Sequence, residues 1–213
     1  MEVQTQSKDM QFRQILQKYL PETVIEWALA TIKQYKIRLE ITKSRTGKRG
    51  DYRCPHPPTN NYHQITVNHD LNKYEFLITF AHEIAHLKTW VQYRNTVQPH
   101  GNEWKNNYTS TLVTLMQIPN TFPSDVMNAL IIHLRDIKSS TVYDTNLVRV
   151  LSRYSPFPED KAYVQDLAPG TFFENEGKVF QLQQLQRKRY QCLCLDTNQT
   201  YLFSPIAIVK PIK

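Results

Sequence analysis

His82, Glu83 and His86, in the run His82-Glu83-Ile84-Ala85-His86, have the types and spacing for metal-assisted hydrolysis. On an α-helix a step of four residues turns about 400°, so His82 and His86 leave the same face one turn apart, where both imidazoles can reach one ion. Neutral imidazole is a good Zn²⁺ ligand, and the neighbouring Glu83 carboxylate can take a proton from a water whose pKa such an ion lowers to about 7. Composition alone yields this run about 0.01 times in a chain of 213 residues. Its surroundings add to the signal, because Tyr74, Phe76, Leu77, Ile78, Phe80, Ala81, Ile84, Ala85 and Leu87 make nearly every side of the segment apolar. A helix of that kind is buried. Each buried polar group without a partner costs about 1–3 kcal/mol or more, and metal coordination is one way to satisfy three of them.

A hydrolytic zinc site needs a third protein ligand and an open position. Two residues of Pro99-His100-Gly101-Asn102-Glu103-Trp104 are candidates: His100, on a turn set by proline and glycine, and Glu103, since some zinc sites use two histidines and a glutamate. Together these residues resemble the SprT-like metallopeptidases, in which His-Glu-x-x-His is followed about fourteen residues later by His-Gly-x-x-Trp. The resemblance spans roughly residues 10–120, including Gly50-Asp51-Tyr52-Arg53, Ile65-Thr66-Val67-Asn68 and the motif helix. It implies that His82, His86 and His100 bind one zinc ion and that Glu83 is the catalytic base. An oxyanion-stabilising side chain is also expected in such a site, with Tyr62 and Tyr93 among the candidates.

Many members of that family continue into a zinc ribbon built from paired cysteines. This chain has three cysteines, too few for a four-thiolate site. Cys192 and Cys194 fall in a strand-like run, where alternation puts both thiols on one face as small core residues.

The elements that must position the motif are legible from periodicity. Helices are predicted at Phe12 to Tyr19, Glu22 to Tyr35, Asn72 to Gln92, Asn102 to Gln117, Ser124 to Ile137 and Thr145 to Tyr154. Ile37 to Thr42 and Tyr62 to Val67 alternate as strands of one small sheet. His56, His63 and His69 lie in or beside the second strand without an assigned role, and His133 reads as a core or edge histidine. A proline-rich, charged stretch at Pro156 to Lys161 marks a boundary. Beyond it come short β runs at Thr171 to Glu174, Lys178 to Leu185, Arg189 to Leu195, Thr200 to Phe203 and Ile206 to Val209, separated by turn residues. The expected fold is α+β: a zincin-like metallopeptidase domain over 1–155, a linker at 156–162 and a small all-β module, SH3-like or meander, over 163–213.

The chain carries 26 Lys and Arg against 19 Asp and Glu, a net charge of +7 that permits attraction to nucleic acid. Lys43, Arg45, Lys48, Arg49 and Arg53 form the densest basic stretch, read as an exposed connection between strands and as candidate nucleic-acid contacts; Arg187, Lys188 and Arg189 form a second cluster. A solvated turn is the plain alternative for both. The resemblance adds weight to DNA as a partner, because several SprT-like proteins act on or near DNA. There is no apolar run near 18 residues and the start is polar, so a cytoplasmic protein without membrane contact or a disulfide framework is expected. The expected activity is zinc-dependent hydrolysis of protein or peptide substrates, DNA-associated or DNA-crosslinked proteins among them. The alternative is a non-catalytic zinc- and DNA-binding, transcription-associated protein, which would use the histidines but has no need of Glu83.

Overall fold

The computed structural model describes residues 2–45, 47–138 and 144–212, and of residues 2–9 the backbone only. The fold is α+β with a C-terminal antiparallel sheet, and the chain divides into two compact units, Met1–Ser139 and Ser140–Lys213. The division falls ahead of the last helix, so the proline-rich stretch at 156–161 lies inside the second unit.

In the first unit α1 (Glu2–Tyr19) is followed by a 3-10 turn at Glu22–Val24 and by α2 (Ile25–Gln34). Pro21, with φ fixed near −57°, opens that turn. Leu16, Leu20, Ile25 and Ala28 are buried. Tyr19 packs against Phe76 with ring centroids 5.3 Å apart and Trp27 meets Phe80 edge-on at 6.2 Å, which lays both helices against the motif helix α3 (Lys73–Tyr93).

Two strands fall close to their predicted ranges, β1 (Ile37–Thr42) and β3 (His63–Asn68). The four residues Gly50–Arg53, placed by the sequence reading in the connection ahead of the second predicted strand, form a further strand, β2. It is too short and too polar to show alternation. The sheet order is β1-β3-β2, with β1 parallel and β2 antiparallel to β3. Central β3 buries His63, Ile65, Thr66, Val67 and Asn68, the burial expected of a strand covered on both faces.

Asn72 caps α3, its side-chain oxygen accepting from the backbone N–H groups of Tyr74 and Glu75 at 3.1 and 3.0 Å. Phe76, Leu77, Ile78, Phe80, Ala81, Ile84, Ala85 and Leu87 are at most 1 % exposed, so the helix is the interior of the unit, as its all-round apolarity predicts. Helices α4 (Asn102–Gln117) and α5 (Ser124–His133) complete it; His133, 1 % exposed, is a core residue.

The second unit begins with α6 (Thr145–Ser152), capped by Asp144, whose carboxylate accepts from the Leu147 N–H at 3.0 Å. Six strands follow: β4 (Ala162–Tyr163), β5 (Phe172–Asn175), β6 (Lys178–Gln186), β7 (Arg189–Cys194), β8 (Thr200–Phe203) and β9 (Ile208–Pro211). Their order is β4-β9-β5-β6-β7-β8, so β5 to β8 form a meander and β9 returns beside β5. Phe173, Phe180, Leu182, Cys192, Cys194, Val164 and Val209 form its core. Both thiols are buried there on one face, as alternation predicts, and both are free.

Candidate metal centre

His82 and His86 lie one turn apart on α3, and their Nε2 atoms are 3.2 Å apart. The third imidazole comes from outside the helix. Its Nε2 stands 3.0 Å from that of His86 and 3.2 Å from that of His82, closing a nearly equilateral triangle. Of the two candidates for this place it is His100, not Glu103, that joins the group. The backbone shows how: His100 is left-handed, with φ 58°, between Pro99 and Gly101, a conformation in which histidine is enriched among non-glycine residues. Gly101 then starts α4, where a Cβ would come within 3.0 Å of the Gln98 carbonyl oxygen.

Trp104, on the first turn of α4 and wholly buried, supports all three rings from one side. Its centroid lies 4.7 Å from His82, 5.4 Å from His86 and 4.6 Å from His100, and Tyr108 stacks behind it at 4.9 Å. The tryptophan four residues after His100 is therefore the platform that fixes the imidazoles.

The residues fit a bound cation. Each Nε2 has two neighbours at 3.0–3.2 Å yet carries at most one proton, aimed along its own ring, so mutual hydrogen bonding cannot satisfy the triangle. Three imidazoles on one tetrahedral ion, at the usual 2.0–2.1 Å, would stand about 3.3 Å apart. Among the described residues this is the one group of three or more potential ligands that converges in this way. Burial lowers the pKa of His82 to about 3 and of His86 to about 4, with the neighbouring imidazoles adding to the effect, and burial also lowers that of His100. The rings are held neutral and ready to coordinate.

Glu83, 5 % exposed, projects from α3 toward β2. A Cβ on Gly50 would fall 2.5 Å from Glu83 Oε1 and 2.7 Å from Thr79 Cγ2, so the strand can lie against the helix here only because position 50 lacks a side chain. Burial and then the Asp51 carboxylate push the Glu83 pKa up to about 8, while Lys48 and Arg45 act in the opposite direction.

The remaining predicted residues have other surroundings. Arg45 is half-buried and donates from Nε to Asn68 Oδ1 at 2.8 Å and from Nη1 to Thr66 Oγ1 at 3.1 Å. Arg49 pairs with buried Glu75 at 3.1 Å. These two cations have partners inside the fold, which corrects the reading of the whole basic stretch as an exposed connection. Lys43 is exposed, and Lys48 and Arg53 flank Asp51 at 2.7 and 3.2 Å. Of the oxyanion candidates, Tyr62 accepts a hydrogen bond from Arg38 at 2.8 Å and Tyr93 is exposed. Neither lines the cavity of about 290 Å³ that adjoins His86 and His100; Tyr52 of β2 does. Its hydroxyl is 2.9 Å from His63 Nδ1, and burial raises its pKa. Periodicity does not point to Tyr52, because β2 is too short to show alternation; its one signal in the sequence is the Gly50-Asp51-Tyr52-Arg53 segment of the family resemblance.

Residues 6–123, more than half of the chain, match the model of the SprT-like family. The chain belongs to that family, and the first unit thereby carries a domain of metallopeptidase type. No curated protein and no solved structure matches it. No helix among the described residues is long and apolar enough to cross a membrane.

Two measurements probe this site. Gly50→Ala should destabilise the chain by about 1–3 kcal/mol in urea unfolding, because buried Glu83 and Thr79 must both move; an unchanged midpoint contradicts the close approach. The metal-free chain should also carry a pH signature. Between about pH 4 and 6.5 unfolded histidines bind protons that folded His82 and His86 do not, so stability rises with pH. Between pH 4.5 and 8 folded Glu83 keeps a proton that the unfolded chain has released, so its contribution falls with pH. The rising contributions of His82 and His86, joined by that of His100, outweigh the one falling contribution and place the maximum near pH 6.5. Unfolding in chelator should show it, with Glu83→Gln flattening the decline above that pH.

Proposed function

We propose that the chain is a zinc-dependent endopeptidase in which His82, His86 and His100 hold one Zn²⁺ and Glu83 is the general base. The observation that carries this reading is the convergence of three imidazole nitrogens, two of them from the helix that also carries the buried Glu83 carboxylate. A purely structural site would be closed by a fourth protein ligand and would have no need of Glu83. When bound, the ion supplies Lewis acidity toward a peptide carbonyl and makes water acidic enough to attack at neutral pH. Ionised beside a bound cation, whose charge would oppose the burial that raises its pKa, Glu83 would take the proton of the attacking water and deliver it to the departing amine, so that one carboxyl serves as base and then as acid. Trp104 and the α3 backbone hold the imidazoles still. Glu83→Gln should retain one equivalent of zinc by metal analysis while cleavage of an unfolded protein substrate falls by about 100-fold or more. His86→Ala should lose the metal. Wild-type cleavage by Glu83→Gln would remove Glu83 from the mechanism, and turnover that persists with the metal stripped would remove zinc.

The finer proposal is that the substrates are proteins associated with or crosslinked to DNA. The net charge of +7 and the exposure of Lys43, Lys48 and Arg53 support it. Affinity for a short duplex, followed by anisotropy between 50 and 200 mM salt, should fall steeply. Combined Lys43→Ala, Lys48→Ala and Arg53→Ala changes should lower the salt slope by about 1 for each phosphate no longer neutralised. Arg49→Ala should act on stability instead, because it leaves the buried Glu75 carboxylate without its cation, with the Asn72 amide still donating to it. Salt-independent binding, or none at low salt, contradicts the DNA reading.

A further inference from the structure

The cavity of about 290 Å³ beside the imidazoles has a charged rim that the hydrolytic reading does not use. Three aromatic side chains, Tyr52, Trp90 and Trp104, line it beside polar Thr89, Asn95 and Gln98, and His86 and His100 border it on the metal side. Arg94 also lines it, with its guanidinium carbon 3.9 Å over the Trp90 ring. A guanidinium held over an aromatic face keeps its charge and can still donate N–H groups to a further acceptor. Among the described residues no carboxylate pairs with it. The charge reaches into the wall: after burial, the Arg94 guanidinium is what further lowers His63, and it partly opposes the burial that raises Tyr52.

The backbone makes Arg94 unusual. It ends α3 with φ 54° and ψ −133°, its N–H donating to the Trp90 carbonyl at 2.8 Å. Turns with that conformation are dominated by glycine, asparagine and aspartate, because a longer side chain is strained there. Such a conformation persists where the surroundings hold it, and here the Arg94 side chain is held over Trp90 at the cavity. The other strained residue on this cavity is His100, which belongs to the metal centre. At about 290 Å³ the space lies just below the range of whole small-molecule sites and suits one side chain or chain end.

We infer that this cavity is a substrate subsite for a carboxylate and that Arg94 is its specificity-determining residue, an inference that rests on the peptidase reading above. The carboxylate belongs to an aspartate or glutamate near the scissile bond or to the C-terminus of a peptide. In either case the aromatic walls take the aliphatic part and Arg94 the charge.

Direct binding tests the assignment without turnover. The probes are the blocked pentapeptide Ala-Ala-Glu-Ala-Ala, its Gln counterpart, and the Gln peptide with a free C-terminus, titrated calorimetrically into the zinc-loaded full-length Glu83→Gln chain. The blocked Glu peptide should bind about fivefold tighter than the blocked Gln peptide at low salt, and Arg94→Gln should abolish the difference. If the advantage appears with the free C-terminus instead and is equally lost in Arg94→Gln, the carboxylate is that of a chain end. Arg94→Gly separates charge from damage to the fold: it should lose the same preference with a Tm no lower than that of the parent. Equal affinities for all three peptides, no binding of any, a preference that survives Arg94→Gln, or a lower Tm in Arg94→Gly overturns the assignment. An Arg94-dependent preference in a chain that hydrolyses nothing would sink the peptidase reading and leave the subsite standing; turnover indifferent both to Glu against Gln and to a free against a blocked C-terminus would do the reverse.

Discussion

The first unit is organised around one costly act, the partial burial of two imidazoles and the full burial of the Glu83 carboxylate on a helix that is apolar on nearly every side. Left alone, each group would cost about 1–3 kcal/mol or more. The neighbouring elements each answer one part of that cost. His100 brings a third nitrogen to the first two, Trp104 closes the face beneath them, and Gly50 leaves room for the Glu83 carboxyl under β2. None of these residues would be needed by a helix that simply filled a core.

The connection between β1 and β2 belongs to the same electrostatic system. Arg45 and Lys48 draw the Glu83 pKa down while Asp51 raises it, and Arg45 is locked in place by Asn68 and Thr66 on the central strand. Asn68 also donates to the Lys48 carbonyl at 3.0 Å, so a single strand residue ties the loop at two points. Cations that look like surface charge along the sequence therefore set the field at the carboxyl group. Neutralising one of them would change Glu83 as well as any external contact.

Motif spacing and apolar periodicity made the helix, its polar trio and the ranges of β1 and β3 legible, because these are local properties with a fixed repeat. The same holds for the meander in the second unit, where Glu176 and Gly177, with φ 51° and 75°, supply the turn between β5 and β6. What escaped was set by contacts distant in sequence. Strand β2 has only four residues and no alternation, and it exists because β3 and α3 accept it. The parallel pairing of β1 with β3 and the internal partners of Arg45 and Arg49 are contacts of the same long-range kind, and β2 itself brings Tyr52 to the cavity beside the imidazoles. His100 was readable only from the proline and glycine around it and from the family pattern; nothing local requires Glu103 to point elsewhere.

The geometry also explains where strain is stored. One helix face can offer ligands at positions four apart, but the third corner of a triangle about 3 Å on a side must come from another element. The chain therefore has to leave α3 and return over a few residues, and it does so through Arg94 and His100, both at positive φ. Such conformations cost about 1–3 kcal/mol each and persist where the surroundings hold them. Confining that cost to the segment between α3 and α4 leaves the hydrogen-bond ladder of the buried helix intact. The His82–His86 spacing is then set by regular helix geometry, and the connecting segment alone adjusts to complete the site.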